Sequence, residues 1–439
     1  MIKMIYTRLM LMLVSTLCIS CAVAPRFFGT IKIDENNGEG YGPAEPSIAV
    51  SPADPSHVVG ASILNRIYYS GDSAKVFNQL KITSPLGVFG DPVTWADHSG
   101  RFYFLHLGDP EHHGRRSPRW LESHVIHLST DGGKTWDEGT GIGANPPKQQ
   151  DKPWIASDPV NDDLVVTWTE FDKYGSTDAN DHSRIRFSKS SDHGKTWTPA
   201  ITISDHEGDC LDDDLTPEGA VPAYGPHHEI YVSWGFDGKL WFDKSTDGGI
   251  TWLPKDIAIM DQVEGWAIDV PALGRANGMP VTCTDLSNGK YKGSIYICWA
   301  DMKSGKSDMD IWLMSSRDGG EHWSDRIRVN RDHTTRFQFL PWMSVDPSTG
   351  HIYIVYYDRR NHADEQADVV IAYSMNGGKT FKEMLLPGTT FTPPGKEAFF
   401  GDYNNISAAG GVIRPIWTSY VDKKLSVWTA LINEKGKRK

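Results

Sequence analysis

Carboxylates head a series of short apolar segments in this chain. Asp151 precedes Lys152-Pro153-Trp154, Glu218 precedes Gly219-Ala220-Val221, and Asp402 precedes Tyr403 in Phe399-Phe400-Gly401-Asp402-Tyr403. Glu45, Asp91 and Asp269 stand in similar places. Two carboxyl groups, one protonated and one ionised, do the acid–base work of glycosidic cleavage. Asp151, Glu218, Asp402 and the Tyr403 hydroxyl are therefore the candidate catalytic groups. A guanidinium fork holds an anionic sugar bidentately. Arg66, Arg336, Arg359 and Arg360 are the candidate substrate-binding cations, with Trp154 and Trp342 as faces for sugar rings. Taken singly, each residue has an ordinary structural use, since acids cap turns and arginines pair with neighbouring carboxylates. Their recurrence at corresponding places is what marks them.

Other motifs carry less. Asp209-Cys210-Leu211-Asp212-Asp213-Asp214 packs four aspartates into six residues, and Asp209, Asp212, Asp213 and Asp214 could supply oxygen ligands to calcium. They lack the spacing of a helix–loop–helix calcium site, and a solvated acidic loop is the competing reading. No cofactor is required by the proposed chemistry, and calcium is the one cation the sequence suggests. Gly139-Thr140-Gly141-Ile142-Gly143-Ala144 imitates a dinucleotide fingerprint, but Asn145-Pro146-Pro147 forbids the helix it needs. His124 and His127 are three apart on a predicted strand and point to opposite faces. His106 reads as a strand-end histidine.

Forty-four Lys and Arg against 56 Asp and Glu leave a net charge of −12. That excess of acid argues against nucleic acid as a partner, because phosphate neutralisation needs clustered cations. At the N-terminus Lys3 and Arg8 precede an apolar run over residues 9–17 and then Cys18-Ile19-Ser20-Cys21. The run is too short to span a bilayer. It resembles a bacterial lipoprotein signal over residues 1–20, with Cys21 as the lipidated residue; an ordinary signal peptide cut nearby is the alternative. The expectation is an exported protein, either a cell-envelope lipoprotein of the outer membrane or periplasm or a secreted one. Membrane contact would come only through the anchor. After processing, Cys210, Cys283 and Cys298 remain, and any two could pair.

One octapeptide positions everything else. It appears as Ser129–Trp136, Ser190–Trp197, Ser245–Trp252, Ser316–Trp323 and Ser374–Phe381, with a degenerate copy at Ser70–Phe77. Its aspartate positions 72, 131, 192, 247, 318 and 376 (asparagine at 376) step by 59, 61, 55, 71 and 58 residues. Serine and aspartate side chains bond nearby backbone N–H groups, glycine supplies φ > 0, and the closing aromatic packs inward. The octapeptide is similar to the Asp-box, or bacterial neuraminidase repeat. The chain thereby resembles the Asp-box β-propellers of the sialidase-like superfamily over nearly all of residues 21–439, read as one domain.

Between boxes an apolar strand, a turn and an aromatic-rich strand recur, so each unit holds three strands before its box and one after. That is a four-stranded propeller blade. The count predicts an all-β propeller of seven blades, with six, the sialidase number, as runner-up. The last unit ends after residues 425–432 without a box, and residues 28–34 are expected to supply its fourth strand and close the ring. Boxes then turn on one rim, and the candidate residues gather at the other.

The sialidase resemblance implies an exported glycoside hydrolase that uses three arginines, a tyrosine with a glutamate partner and an aspartate on an anionic or decorated glycan, and acts as a monomer. The Arg-Ile-Pro motif of those enzymes is absent, and Asn65-Arg66-Ile67-Tyr68 is its nearest match. Two other readings stay open: a non-catalytic envelope propeller that binds glycan or protein, and a polysaccharide lyase using His106, Tyr403 and Arg359.

Overall fold

The computed structural model describes residues 24–36 and 41–434. Residues 1–20, Cys21 and the basic tail from Lys435 lie outside the described residues, so the signal segment and anchor have no structural account. Seven four-stranded antiparallel sheets form the blades of a propeller. Their innermost strands are Ser47–Val50, Gly90–Ala96, Gln149–Ser157, Glu218–Tyr224, Val281–Thr284, Gln338–Val345 and Asn405–Ala409, for blades I to VII. Together these seven line a narrow axial channel. Among the described residues the only helical element is a 3-10 turn at Gly114–Arg116.

Burial explains the composition of the strands. A middle strand is covered on both faces by neighbouring blades, so Leu164–Phe171 and Ile352–Asp358 are buried throughout and read as continuous apolar runs. Outermost strands such as Asn78–Lys81 and Ile201–Thr202 are largely exposed.

All six octapeptides join the third strand of a blade to its fourth. In each, the serine hydroxyl donates to the side-chain oxygen two residues on at 2.7–2.9 Å. The fifth residue's N–H donates back to that serine at 2.8–3.0 Å. Asn376 serves as well as aspartate because its amide oxygen accepts the Thr380 N–H at 3.1 Å. In the degenerate copy Ser73 and Ala74 take the left-handed conformation (φ 63 and 68) that glycine takes in the other copies apart from His193 (φ 63), a strained choice for residues with a Cβ. The closing tryptophans are half-buried. Two of them set their edges on the preceding blade, Trp252 on Phe187 and Trp323 on Phe242, at 4.9 and 5.1 Å.

Pro25–Glu35 pairs with Lys424–Glu434 and completes blade VII, as the strand count requires. The strand also bridges to blade I. Asp34 accepts from the buried Tyr68 hydroxyl at 2.8 Å and pairs with Arg66 at 3.2 Å, and Gln79 donates to the Ile33 carbonyl at 2.6 Å. Cys210, Cys283 and Cys298 are all free thiols, so the pairing that the sequence left open is not formed.

A bulge recurs at the head of the inner strands. The register slips between Gly90 and Val93, Asp151 and Trp154, Glu218 and Val221, and Phe339 and Trp342. Asp91, Lys152, Gly219 and Leu340 sit in these slips with φ of 49, 49, 71 and 50, and Glu45 at the head of blade I has φ of 50. Glu45, Asp91, Lys152 and Leu340 each precede a proline. Proline has no N–H to give to the ladder, which suits a position where pairing is broken. A bulge re-aims the side chain it carries, and non-glycine residues held at positive φ cluster at functional sites.

Candidate functional site

Because strands alternate in direction, the heads of the inner strands lie on the rim opposite the octapeptides. A cleft of about 940 Å3 opens there, lined by Glu45, Asp91, Asp151, Lys152, Asp212 and Asp402. The bulges of blades II and III deliver Asp91, Asp151 and Lys152 to it. Lys152, 6% exposed, places its ammonium 2.7 Å from Asp402 and 3.6 Å from Asp91. A hairpin between blades IV and V, Ala267–Val270 and Gly274–Asn277, adds Arg275. Its guanidinium lies 3.2 Å from Asp402 and 3.1 Å from Asp212, and Asn277 donates to the Asp402 carbonyl at 2.6 Å. The Tyr174 hydroxyl, from the loop after the second strand of blade III, donates to Asp212 at 2.8 Å.

These neighbours drive the carboxyl groups apart. Burial, with Asp91 adding repulsion, raises Asp151 well above the usual carboxylate range. Burial and the Asp212 charge do the same to Glu218, whose two oxygens are buried without a hydrogen-bond partner. Glu45 is raised by burial and by Asp91. Burial also works on Asp402, but Lys152 and Arg275 outweigh it and bring its pKa down to about 2. Burial opposes the Lys152 ammonium, yet Asp402 and Asp91 keep it firmly protonated. Asp151 and Glu218 are thus held toward their neutral forms, while Asp402 is held ionised. Titratable groups pushed in opposite directions mark a division of acid and base roles.

The structure brings Asp151, Glu218, Asp402 and Tyr403 into one neighbourhood. Tyr403 is buried, donates to the Pro92 carbonyl at 3.4 Å, and sets its ring 5.2 Å from that of Trp154, edge to face. Trp154 and Trp342 stand 4.3 Å apart. Both are buried, so the three rings form an aromatic plug beneath the carboxylates rather than an open platform for sugar.

The four arginines do not converge. Arg66 is taken by Asp34 and the Tyr41 carbonyl, Arg336 by the His362 carbonyl, and Arg360 by Asp358 and Glu383. Arg359 donates to the Pro271 carbonyl over the ring of Phe339. Three are drawn to acceptors in their own blade or the next and Arg359 to the hairpin between blades IV and V, so the expected arginine clamp is not assembled. The acidic run also disperses. Asp209 accepts from Thr216 at 2.8 Å, Asp213 from the Leu215 N–H at 3.2 Å, and Asp214 from the Trp266 and Ala267 N–H groups at 2.7 and 2.8 Å. Asp212 alone reaches the cleft. Among the described residues no group of three His, Cys, Asp or Glu side chains is arranged to hold a metal.

Sequence reasoning missed Arg275 and Tyr174. The first had a signal: the 71-residue step between Asp247 and Asp318 exceeds the others by ten or more and contains the extra hairpin. The second had none, since Tyr174 lies three residues beyond its strand in a loop whose path only the fold shows.

Blade II holds buried neutral histidines. His106 bonds the Leu107 carbonyl and stands 3.0 Å from His127, while both His124 ring nitrogens are unpartnered beside Trp168. Burial lowers His106 and His124 to about 3. With the folded value depressed, the unfolded chain binds more protons below the ordinary value of about 6.5, so stability is lost as pH falls. Each such group contributes about 1.4 kcal/mol of loss per pH unit between about 6.5 and its folded value. His124→Leu is therefore expected to flatten the acid-side decline by about that amount, read as urea midpoints between neutral and mildly acid pH. An unchanged slope would show that His124 is not buried neutral.

No family model matches the chain, and no curated protein matches it. Solved structures do. The chain is similar to the NanB sialidase of Streptococcus pneumoniae at 12% identity and a TM-score of 0.50, over 78% of this chain and 68% of that one. A PL25 ulvan lyase bound to a GlcA(1-4)Rha3S ligand is 15% identical, with a TM-score of 0.54 over 94% and 97% of the two chains. A protein of unknown function from Dyadobacter fermentans is 12% identical, at 0.50 over 94% and 99%. At these identities the likeness is one of fold, and the chain has the fold of the sialidase-like β-propellers, built with seven blades.

Proposed function

We propose that this protein is a glycoside hydrolase that cleaves a decorated glycan in the cleft opposite the octapeptide rim. The observation that carries the reading is the placement of Asp151 and Asp402 in one cleft, Asp402 beside Lys152 and Arg275 and Asp151 buried near Asp91, which pushes the two carboxyl groups in opposite directions. Asp151, neutral, donates its proton to the departing glycosidic oxygen. Asp402, held ionised by Lys152 and Arg275, stabilises the positive charge that develops on the sugar ring as the bond breaks, and a water molecule then adds to the anomeric carbon and returns a proton to the Asp151 carboxylate. Burial and the nearby Asp91 favour the protonated form of Asp151, which therefore keeps its proton until the leaving group takes it. Tyr403 anchors the head of blade VII to that of blade II rather than meeting substrate.

Elimination from a uronate is the second reading. It is favoured by Tyr174, His112, His113 and Arg275, which bring a hydroxyl, two imidazoles and a cation to the same cleft. The solved ulvan lyase of this fold has a GlcA-containing ligand. Product analysis on a panel of anionic and neutral glycans separates the readings. Hydrolysis yields new reducing ends with no ultraviolet chromophore, elimination yields an unsaturated ultraviolet-absorbing end, and binding without either product makes the protein a glycan-binding propeller.

Export with a lipid on Cys21 belongs to the same proposal. Cys21→Ser is expected to move the protein from the membrane fraction to the soluble one, and unchanged fractionation would remove the anchor from the account.

A further inference from the structure

The loop between the second and third strands of blade II, residues 108–123, overhangs the cleft. Asp109 shapes it by accepting the Gly114 N–H at 2.6 Å, and Ser117 ties to Glu111 at 3.0 Å. The loop presents His112, His113, Arg115 and Arg116 to the cleft, all exposed. The Arg115 guanidinium lies over the rings of Trp120 and Tyr174, 5.3 and 5.6 Å from their centroids. Stacking of this kind occupies a guanidinium's faces and leaves its N–H edge free. Among the described residues no carboxylate stands within 4.0 Å of Arg115 or Arg116.

The protein carries a net −12. Yet Glu45 and Asp151 on the cleft floor are held toward their neutral forms, and Asp402 is matched by Lys152 and Arg275. Arg115 and Arg116 are the cleft-lining arginines with no carboxylate within ion-pair reach. Arg115, held in place by aromatic rings and with no carboxylate in ion-pair reach, is arranged for an anion from outside.

We infer that Arg115, with Arg116 beside it, is the receptor for a carboxylate or sulfate group on the glycan, so that the substrate class is an anionic polysaccharide engaged from the blade II loop and not by the dispersed arginines. The inference rests on the proposed function for its place in a reaction, but its test reads binding alone. The intact protein would be titrated calorimetrically with polygalacturonate, dextran sulfate and uncharged dextran, alongside Arg115→Ala and Arg119→Ala. Arg119 is on the same loop but is engaged by Glu122, so its removal controls for loss of net charge.

Wild type is expected to bind at least one charged polymer and not dextran. Arg115→Ala should weaken that binding roughly tenfold or more, as for loss of a charge-assisted bidentate contact, while Arg119→Ala stays within about twofold. Preference for polygalacturonate or for dextran sulfate tells carboxylate from sulfate. The inference is overturned if no polymer binds, if dextran binds as well as the charged polymers, or if the two variants lose equally. Binding through Arg115 without any cleavage would defeat the proposed reaction and leave this receptor standing. Cleavage of neutral glycans with binding unchanged in Arg115→Ala would do the reverse.

Discussion

Asp151→Asn is expected to lower kcat on a glycan substrate by roughly a hundredfold to ten-thousandfold, the range for loss of a general acid. The amide matches the carboxyl in shape and can still accept the Lys152 N–H, which Asp151 accepts at 3.0 Å. The melting temperature should therefore hold while the transferable proton disappears. The loss should shrink for an aryl glycoside whose leaving group needs no protonation, which separates proton donation from general damage to the site. The pH profile follows from the same shifts. Activity falls as pH rises through the raised value of Asp151, because the proton to be donated is gone. It falls on the acid side only as Asp402 is protonated, near a pH of about 2. Wild-type turnover in Asp151→Asn on both substrates would remove Asp151 from the reaction.

Deletion of residues 24–36 is expected to prevent formation of a stable monomer. It would strip blade VII of its outer strand, leave Lys424–Glu434 as an open edge, and cut the bonds from Asp34 and Ile33 to blade I. Open edges pair with other chains, so aggregation is the expected readout by light scattering. Asp34→Ala measures the junction in a protein that still folds. Tyr68, fully buried, loses one of its two hydrogen-bond partners and Arg66 its carboxylate, with an expected cost of about 1–3 kcal/mol in urea denaturation. A soluble monomer from the deletion, together with an unchanged midpoint for Asp34→Ala, would mean that the ring closes without this strand. The same contacts explain Arg66: it buckles the first blade to the last and is not free to reach a sugar.

Much of this architecture was legible along the chain because it is local. Each octapeptide folds on hydrogen bonds spanning a few residues, so its sequence carries its turn, and six copies at a near-constant step carry the blade count and the rim on which they turn. The closing strand followed from counting strands in the last unit. The carboxylates at strand heads were legible because they recur at corresponding places, just before the first strand of successive units.

The arginines show where such reading stops. A guanidinium reaches several ångströms from its backbone and binds whichever acceptor the fold brings near, so the position of Arg336 or Arg360 in a strand says little about where its charge ends up. Trp154 and Trp342 lie at the expected level of the channel, but their faces are spent on each other and on Tyr403. By itself the sequence determined a closed ring of seven sheets, the rim bearing the turns, and the gathering of acids at the other rim, because all of these arise from short-range periodic patterning. Only the tertiary structure decided which acids stay protonated and which cations meet them: Lys152 lies 250 residues from Asp402 and Arg275 lies 127 away, and the field at a buried carboxyl depends on distance in space, which no spacing along the chain encodes.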